Sequence, residues 1–232
     1  MLEIAIAAAS ATAIMYAGYG AMAPTSQLYG STLVRAANSR QLALTFDDGP
    51  NDPHTLKLLE VLAQHGVRAT FFMIGRYVQQ RPQIAREVAQ AGHAIGNHTF
   101  THPNLIFCSD MQTRIQLAEC NRAIEDVAGH TPKLFRPPFG GRRPSTLRIA
   151  RELGLTPAMW NVTGWDWNAH SSETVERKVS KQIRGGDVVL LHDGSHRQLG
   201  WDRSCTVAAT ARLVARYKSE GYQFVTVSEI LA

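Results

Sequence analysis

The sequence predicts an α/β chain of repeated βα units closing into a β/α barrel slightly short of eight units. Three observations carry that expectation. Beyond residue 40, short apolar runs rich in β-formers alternate with amphipathic stretches, the pattern of a mainly parallel sheet. Seven such units can be counted, more than a small doubly wound sheet requires. Residues with chemistry to offer follow successive runs: Asp47 and Asp48 the first, His98 and His102 the third, Arg136 the fourth, Asp166 the fifth and His192 the sixth. In a parallel barrel all strand C-termini open on one face, so residues remote in sequence converge on one rim.

Strands are expected near 42–46, 68–73, 93–97, 133–136, 156–162, 187–192 and 223–227, with helices between them. The first helix is expected to start at Thr55 as N-cap and to bury Leu58, Leu59 and Leu62. The next opens with Pro82 and ends before Gly92, the proline-in, glycine-out asymmetry of helix ends. Ser109 with Gln112 spells a capping box for a longer helix reaching about Ala128. Pro144 opens a helix that closes at Gly154, and Arg203 to Glu220 supplies the last long one before Gly221.

A length of 232 residues with 44% hydrophobic content suits a single core. The division expected is a hydrophobic anchor or signal-like segment with its lead-in over 1–39 and one globular domain over 40–232. The net charge of +5 comes from scattered Arg and Lys without a basic block, which argues against nucleic-acid binding. A mild positive field would favour approach to anionic cell-envelope polymers. Cys108, Cys120 and Cys205 lack CxxC spacing, so they imply neither a disulfide framework nor a cysteine zinc site. From Ile4 to Ala23 the chain is uncharged and Ala-rich. That length suits a membrane anchor or a secretory signal, cleaved or not, with a soluble packed helix as the other reading. Orientation in a membrane is left open, because Glu3 is acidic and the nearest basic residues, Arg35 and Arg40, lie downstream.

The stretch Thr45-Phe46-Asp47-Asp48-Gly49-Pro50 places adjacent carboxylates between an apolar run and a Gly-Pro turn. Charges there cost several kcal/mol to desolvate unless paired or bound to a cation, although a solvated turn is the plain alternative. His98-Thr99-Phe100-Thr101-His102 has the i, i+4 spacing that sets two imidazoles on one side of a helical turn. Pro103 breaks it, so a loop holding one tight turn is expected. With one of the two aspartates this makes a His₂-carboxylate set with open positions, as in hydrolytic zinc sites.

These motifs resemble those of the polysaccharide deacetylases of carbohydrate esterase family 4, the NodB homology domain. They occur in that family's order over about residues 40–228: TFDDGP at 45–50, HTFTHP at 98–103, Arg136-Pro137-Pro138-Phe139-Gly140, Trp165-Asp166-Trp167 and Leu190-Leu191-His192. The resemblance implies a distorted (β/α)7 barrel and a divalent-metal-dependent N-deacetylase of N-acetylated sugars. It implies Asp48, His98 and His102 as holders of one divalent ion, zinc first and cobalt as an alternative, with Asp47 as general base and His192 as general acid. A metal lowers the pKa of water toward neutrality, and a carboxylate not engaged with it can take the proton. The backbone N–H of Phe139 would stabilise the oxyanion, a role that survives replacement of the family's frequent Tyr. Arg136 would steady Asp47, and Asp166 would orient Arg136 or His192. Trp165, Trp167 and Trp201 are candidates to stack on sugar rings, Leu190 would line the acetyl pocket, and Pro138 would border the substrate. Thr163 stands where the family's fourth motif carries its first Asp, which removes one supporting contact. His54, His65, His93, His130, His170 and His196 have no ligand-like spacing, and surface or turn roles are expected for them.

Two other classes compete. A non-heme iron oxygenase also uses two His and one carboxylate, but a spare Asp and His suited to proton transfer argue against it. A silent carbohydrate-binding module would be expected to lose Asp47 or His192, and both are present. The glycan, the choice between N- and O-deacetylation, the native metal and the oligomeric state stay open from sequence. A cell-envelope location, anchored or secreted, is expected.

Overall fold

The computed structural model describes residue 12 and residues 14–232. Among the described residues eight strands lie in one parallel sheet: β1 (Gln41–Gly49), β2 (Thr70–Met73), β3 (Ala94–Asn97), β4 (Leu134–Phe135), β5 (Thr156–Pro157), β6 (Val162–Thr163), β7 (Asp187–His192) and β8 (Gln223–Phe224). The order is β5-β4-β3-β2-β1-β7-β6, with β8 pairing the start of β1. The sheet curls into a distorted (β/α)7 barrel with a seam between β5 and β6. Residues from the lead-in knit that seam: Leu33 bridges Ala158 on one side and Arg35 bridges Asp187 on the other.

Most helix expectations hold. Helices α1 (His54–Gln64), α3 (Pro82–Gln90), α4 (Asp110–Ala128), α5 (Pro144–Glu152), α6 (Ser172–Gln182) and α7 (Ser204–Ser219) lie where proline, capping and glycine signals placed helices or between the expected strands. Ser109 and Gln112 form the full capping box, and Gly129 closes α4 in the left-handed conformation. At α1 the N-cap position is Pro53, and Thr55 instead spends its hydroxyl on the Asn51 N–H and on Asp193. Leu58 and Leu62 are buried under α1, whereas Leu59 is half-buried. A short α2 (Gly75–Gln80) has no counterpart in the sequence reading, and α8 (Val227–Leu231) takes the end of the expected seventh strand, which is only Gln223–Phe224. The expected strand at 156–162 is two short strands. Pro157 has no N–H for a ladder, and the carbonyls of Ala158 and Met159 turn inward to accept hydrogen bonds from Arg136.

Strand alternation sorts β1 into two faces. Leu42, Leu44 and Phe46 face the helices, packing with Leu58, Leu62, Val189 and Leu191. Ala43 belongs to the interior cluster with Phe72, Leu134, Ala158 and Val188. By the same period Thr45 and Asp47 point inward. In β7, Val189 and Leu191 pack outward, which leaves Leu190 and His192 on the inner face.

The anchor or signal expectation for 4–23 falls partly on residues 4–11 and 13, which lie outside the described residues. Residues 14–22 are helical, with Ile14, Met15, Tyr16 and Tyr19 exposed. Among the described residues no helix is long and apolar enough to cross a membrane. The segment after that helix is bolted to the barrel by Arg142, which is buried and donates to the carbonyls of Ala23, Ser26 and Gly140. Cys108, Cys120 and Cys205 are free thiols, with Cys120 buried in the core and its thiol pushed up to about 12 by burial.

Candidate active site

The C-terminal ends of β1, β3, β4, β6 and β7 deliver the site. Asp47 ends the regular part of β1 in register with His192 of β7. The ladder with β2 slips between Asp47 and Gly49, and Asp48 adopts φ 74°, which turns its side chain away from its neighbour's. All non-glycine residues with positive φ among the described residues fall in these loops: Asp48, Thr99, His102, Phe139 and Trp165. Each such conformation costs of order 1–3 kcal/mol and persists where the surroundings over-determine it, as at functional sites.

Asp48, His98 and His102 offer ligand atoms that lie within 4.8 Å of one another, all three residues buried. Asp48 Oδ1 is 3.5 Å from His98 Nε2 and 3.2 Å from His102 Nε2, and it has no hydrogen-bond partner. His98 Nδ1 lies 2.8 Å from the Arg136 carbonyl, which fixes a proton on Nδ1 and leaves Nε2 as a lone pair facing the cluster. Burial works to raise the Asp48 carboxyl, but its contacts with His102, His196 and His98 hold it well below the ordinary value. Burial lowers His102 against the pull of Asp48. A carboxylate beside two imidazoles, with an orphaned oxygen aimed between two ring nitrogens, fits a divalent cation. The two histidines are not on a helical turn. Residues 98–102 form a bent loop, and the left-handed backbones of Thr99 and His102 bring the rings to a centroid distance of 4.9 Å.

Asp47 is held differently. Arg136, fully buried, donates to Asp47 Oδ1 at 2.8 Å and to Thr45 Oγ1 at 2.7 Å, while its other nitrogens reach the Ala158 and Met159 carbonyls. Burial pulls the Arg136 guanidinium down, opposed by Asp47. Asp47 Oδ2 faces the cluster, 3.8 Å from His98 Nε2. Across the site, Asp166 Oδ1 is 2.9 Å from His192 Nδ1, and Asp166 Oδ2 accepts from the His192 N–H at 2.7 Å and from Thr206 at 2.8 Å. Burial alone would lower His192, yet the Asp166 charge and hydrogen bond win and raise it. Asp166 is pushed up by burial and pulled down further by His192. Of the two partners considered for Asp166, the structure pairs it with His192.

These groups open into a cavity of 370 Å³ whose wall includes Asp47, Asp48, His98, His102, Phe139, Trp160, Trp167, Leu190, His192, His196 and Trp201. Trp165 and Pro138 lie outside that wall. Trp165 is exposed and packs on Trp167 at 5.2 Å, and Trp167 meets the His192 ring edge-on. Pro138 is buried, and Phe139, with φ 59°, keeps its ring exposed and edge-on to His102.

Several expectations for histidines need correction. His196 stacks on His102 at 4.6 Å with planes 13° apart, and its backbone N–H donates to Asp48 Oδ2. It reaches the site through an irregular loop after β7, for which sequence spacing gives no signal. His54 and His93 are buried rather than superficial, and His93 accepts from the Ala69 N–H and meets Phe71 edge-on. Trp160 and Asp193 were also invisible in the motifs. Asp193 is buried under Thr55 and pushed up to about 7, chiefly by burial, opposed by the Thr55 hydrogen bond and aided by the Asp48 charge.

A parallel β/α barrel with a His₂-carboxylate cluster, a second carboxylate and a carboxylate-paired histidine on its C-terminal rim is the framework of a metal-site hydrolase. Residues 35–158 match the family model described as polysaccharide deacetylase. The chain is 39% identical over 199 residues to a peptidoglycan-N-acetylglucosamine deacetylase of Bacillus cereus, covering 84% of this chain and 89% of that one. It is 34% identical to a chitooligosaccharide deacetylase of Azorhizobium caulinodans, covering 80% and 91%. It also resembles a solved peptidoglycan N-acetylglucosamine deacetylase, crystallised in complex with 4-naphthalen-1-yl-N-oxidanyl-benzamide, with TM-score 0.81, 34% identity and coverage of 86% and 91%. The chain belongs to the polysaccharide deacetylase family, carbohydrate esterase family 4, and is a hydrolase acting on carbon–nitrogen bonds other than peptide bonds.

Proposed function

We propose that this enzyme removes N-acetyl groups from N-acetylglucosamine units of a cell-envelope glycan, with peptidoglycan as the leading substrate. The observation that carries the reading is the divergent treatment of two adjacent buried aspartates, one aimed at two imidazoles and the other held by a guanidinium. One carboxylate cannot easily serve both as ligand and as base.

Asp48, His98 and His102 would hold one divalent ion, with zinc the leading identity for two imidazoles and a carboxylate. Such an ion polarises a carbonyl and acidifies water. Asp47, steadied by Arg136 through Oδ1, takes a proton on Oδ2 as water adds to the amide carbon. The Phe139 N–H donates to the oxygen that gains charge. As the carbon–nitrogen bond breaks, His192 gives a proton from Nε2 to the leaving amine, its Nδ1 being engaged by Asp166. Acetate and a free amine result. Leu190 lines the acetyl end of the cavity, and Trp167, with Trp165 packed on it, and Trp201 offer indole faces to the sugar.

The relatives' peptidoglycan substrates support a place at the cell envelope, and the exposed apolar residues of the 14–22 helix support contact with a membrane surface. The test is acetate release from N-acetylglucosamine oligomers and peptidoglycan, with and without chelator, comparing wild type with Asp47→Asn. The variant is expected to keep its metal and lose about 10²- to 10⁴-fold in kcat. A fully active variant would remove Asp47 as base, and acetate release only from O-acetyl groups would redirect the reading to an esterase.

A further inference from the structure

The segment between β7 and α7 supplies Ser195, His196, Arg197, Trp201 and Arg203 to the cavity wall, yet residues 195–203 include neither helix nor strand. A wall made of irregular chain needs a tie, since otherwise the residues presented to a ligand sample many positions. Arg76 and Tyr77 hold its first part through the Ser195 and His196 carbonyls, and Arg203 holds the Gly194 carbonyl; the tie that reaches Gly200 and Trp201 is Asn51, beyond the first motif and 1% exposed. Its Nδ2 donates to the Asp193 carbonyl and to the Trp201 carbonyl, both at 2.9 Å, and its Oδ1 accepts from the Gly200 N–H at 2.7 Å. Both amide protons and the oxygen are thus committed to one loop, gripping it at its start and near its far end. Asn51 is itself fixed by its N–H to Thr55 Oγ1, and Thr55 also holds the Asp193 side chain.

We propose that Asn51 is a positioning residue that sets how tightly this enzyme holds longer glycan substrates, by cinching the 193–203 loop so that Trp201 stands as a fixed wall of the sugar cavity. The inference rests on the deacetylase reading above. The chemistry selects asparagine: two carbonyls need donors and one N–H needs an acceptor, a set that a carboxylate of the same shape cannot supply. Asn51 touches no atom of the cluster or of the proposed acid and base through its side chain, so its effect should fall on binding rather than on bond cleavage.

The experiment measures kcat and KM for acetate release from N-acetylglucosamine dimers to pentamers by the metal-loaded full chain. It compares wild type, Asn51→Ala, Asn51→Asp, Trp201→Ala and the Asn51→Ala/Trp201→Ala double variant, with metal content and Tm for each. For the longer oligomers, Asn51→Ala and Trp201→Ala are each expected to raise KM about fivefold or more with kcat within about twofold. The double variant is expected to be no worse than Trp201→Ala, because the two residues act through one contact. Asn51→Asp should behave like Asn51→Ala despite its matching shape. An unchanged KM in Asn51→Ala, multiplying effects in the double variant, or a loss confined to kcat would overturn the proposal. If the Asn51 variants do not fold, Trp201→Ala decides alone, and an unchanged KM there overturns it. A wild type that releases no acetate from any substrate would sink the deacetylase reading instead.

Discussion

Replacing Asp166 by Asn separates the charge that supports His192 from the shape that surrounds it. In the native site Asp166 Oδ2 accepts from the His192 N–H and the Thr206 hydroxyl, while Oδ1 meets His192 Nδ1. An Asn can keep its single oxygen toward the first two donors, but its NH₂ then faces Nδ1. The imidazole must answer with a lone pair, so it stays neutral with its proton on Nε2, because the imidazolium would set N–H against N–H. The proton donor's charged form is thereby lost, and kcat is expected to fall about 10²- to 10⁴-fold, the range for removing a general acid or forcing the wrong tautomer in a buried carboxylate–histidine pair. The pH dependence carries its own sign. A general acid works while protonated, so activity falls as pH rises through the His192 pKa, which burial lowers and Asp166 more than restores. Without the Asp166 carboxylate, burial is opposed only by the smaller pull of the Asp48 and Asp47 charges, and the basic limb of kcat/KM moves to lower pH. The assay is acetate release across pH with Tm measured in parallel. A folded Asp166→Asn enzyme with its basic limb unmoved and kcat within about threefold of wild type would refute the assignment of His192 as the acid.

Arg136→Met should leave Asp47 buried without its guanidinium, together with unserved carbonyls at Ala158 and Met159. Breaking a buried ion pair from one side costs about 3–5 kcal/mol, to be read by denaturant unfolding alongside a loss of turnover. Gly194→Ala would set a Cβ 2.1 Å from the Asp48 carbonyl oxygen and 2.6 Å from its carbon, where neither backbone can yield. It should cost about 1–3 kcal/mol of stability and reduce retained metal, as measured by elemental analysis and by the shift in Tm on adding zinc; a wild-type metal content would disconnect this contact from the cluster.

Much of the architecture was readable because local chemistry and global packing agree. Pro82, Pro144, the Ser109–Gln112 box and Gly129 punctuate helices by backbone rules that hold before any tertiary contact forms. The run at 156–162 misled because its residues favour strand while Pro157 and the inward carbonyls that feed Arg136 interrupt the ladder. The site divides in the same way. Asp47, Asp48, His98, His102, Arg136, Asp166 and His192 stood out as polar residues at strand ends. His196, Trp160 and Asn51 did not, since their places depend on loops whose paths no spacing rule encodes.

By itself the sequence determined the βα order, the place of Asp47 and His192 at strand ends on one rim, and the set of side chains able to grip a cation and move protons. Only the tertiary structure decided which oxygen of each aspartate faces which partner, that Asp166 serves His192 rather than Arg136, and how the 193–203 loop closes over the cavity. Strand alternation and helix punctuation follow from bonds between near neighbours. Those pairings span up to about 150 positions of chain, and they are fixed by left-handed backbones and buried hydrogen bonds that are tolerable only once the barrel has formed around them.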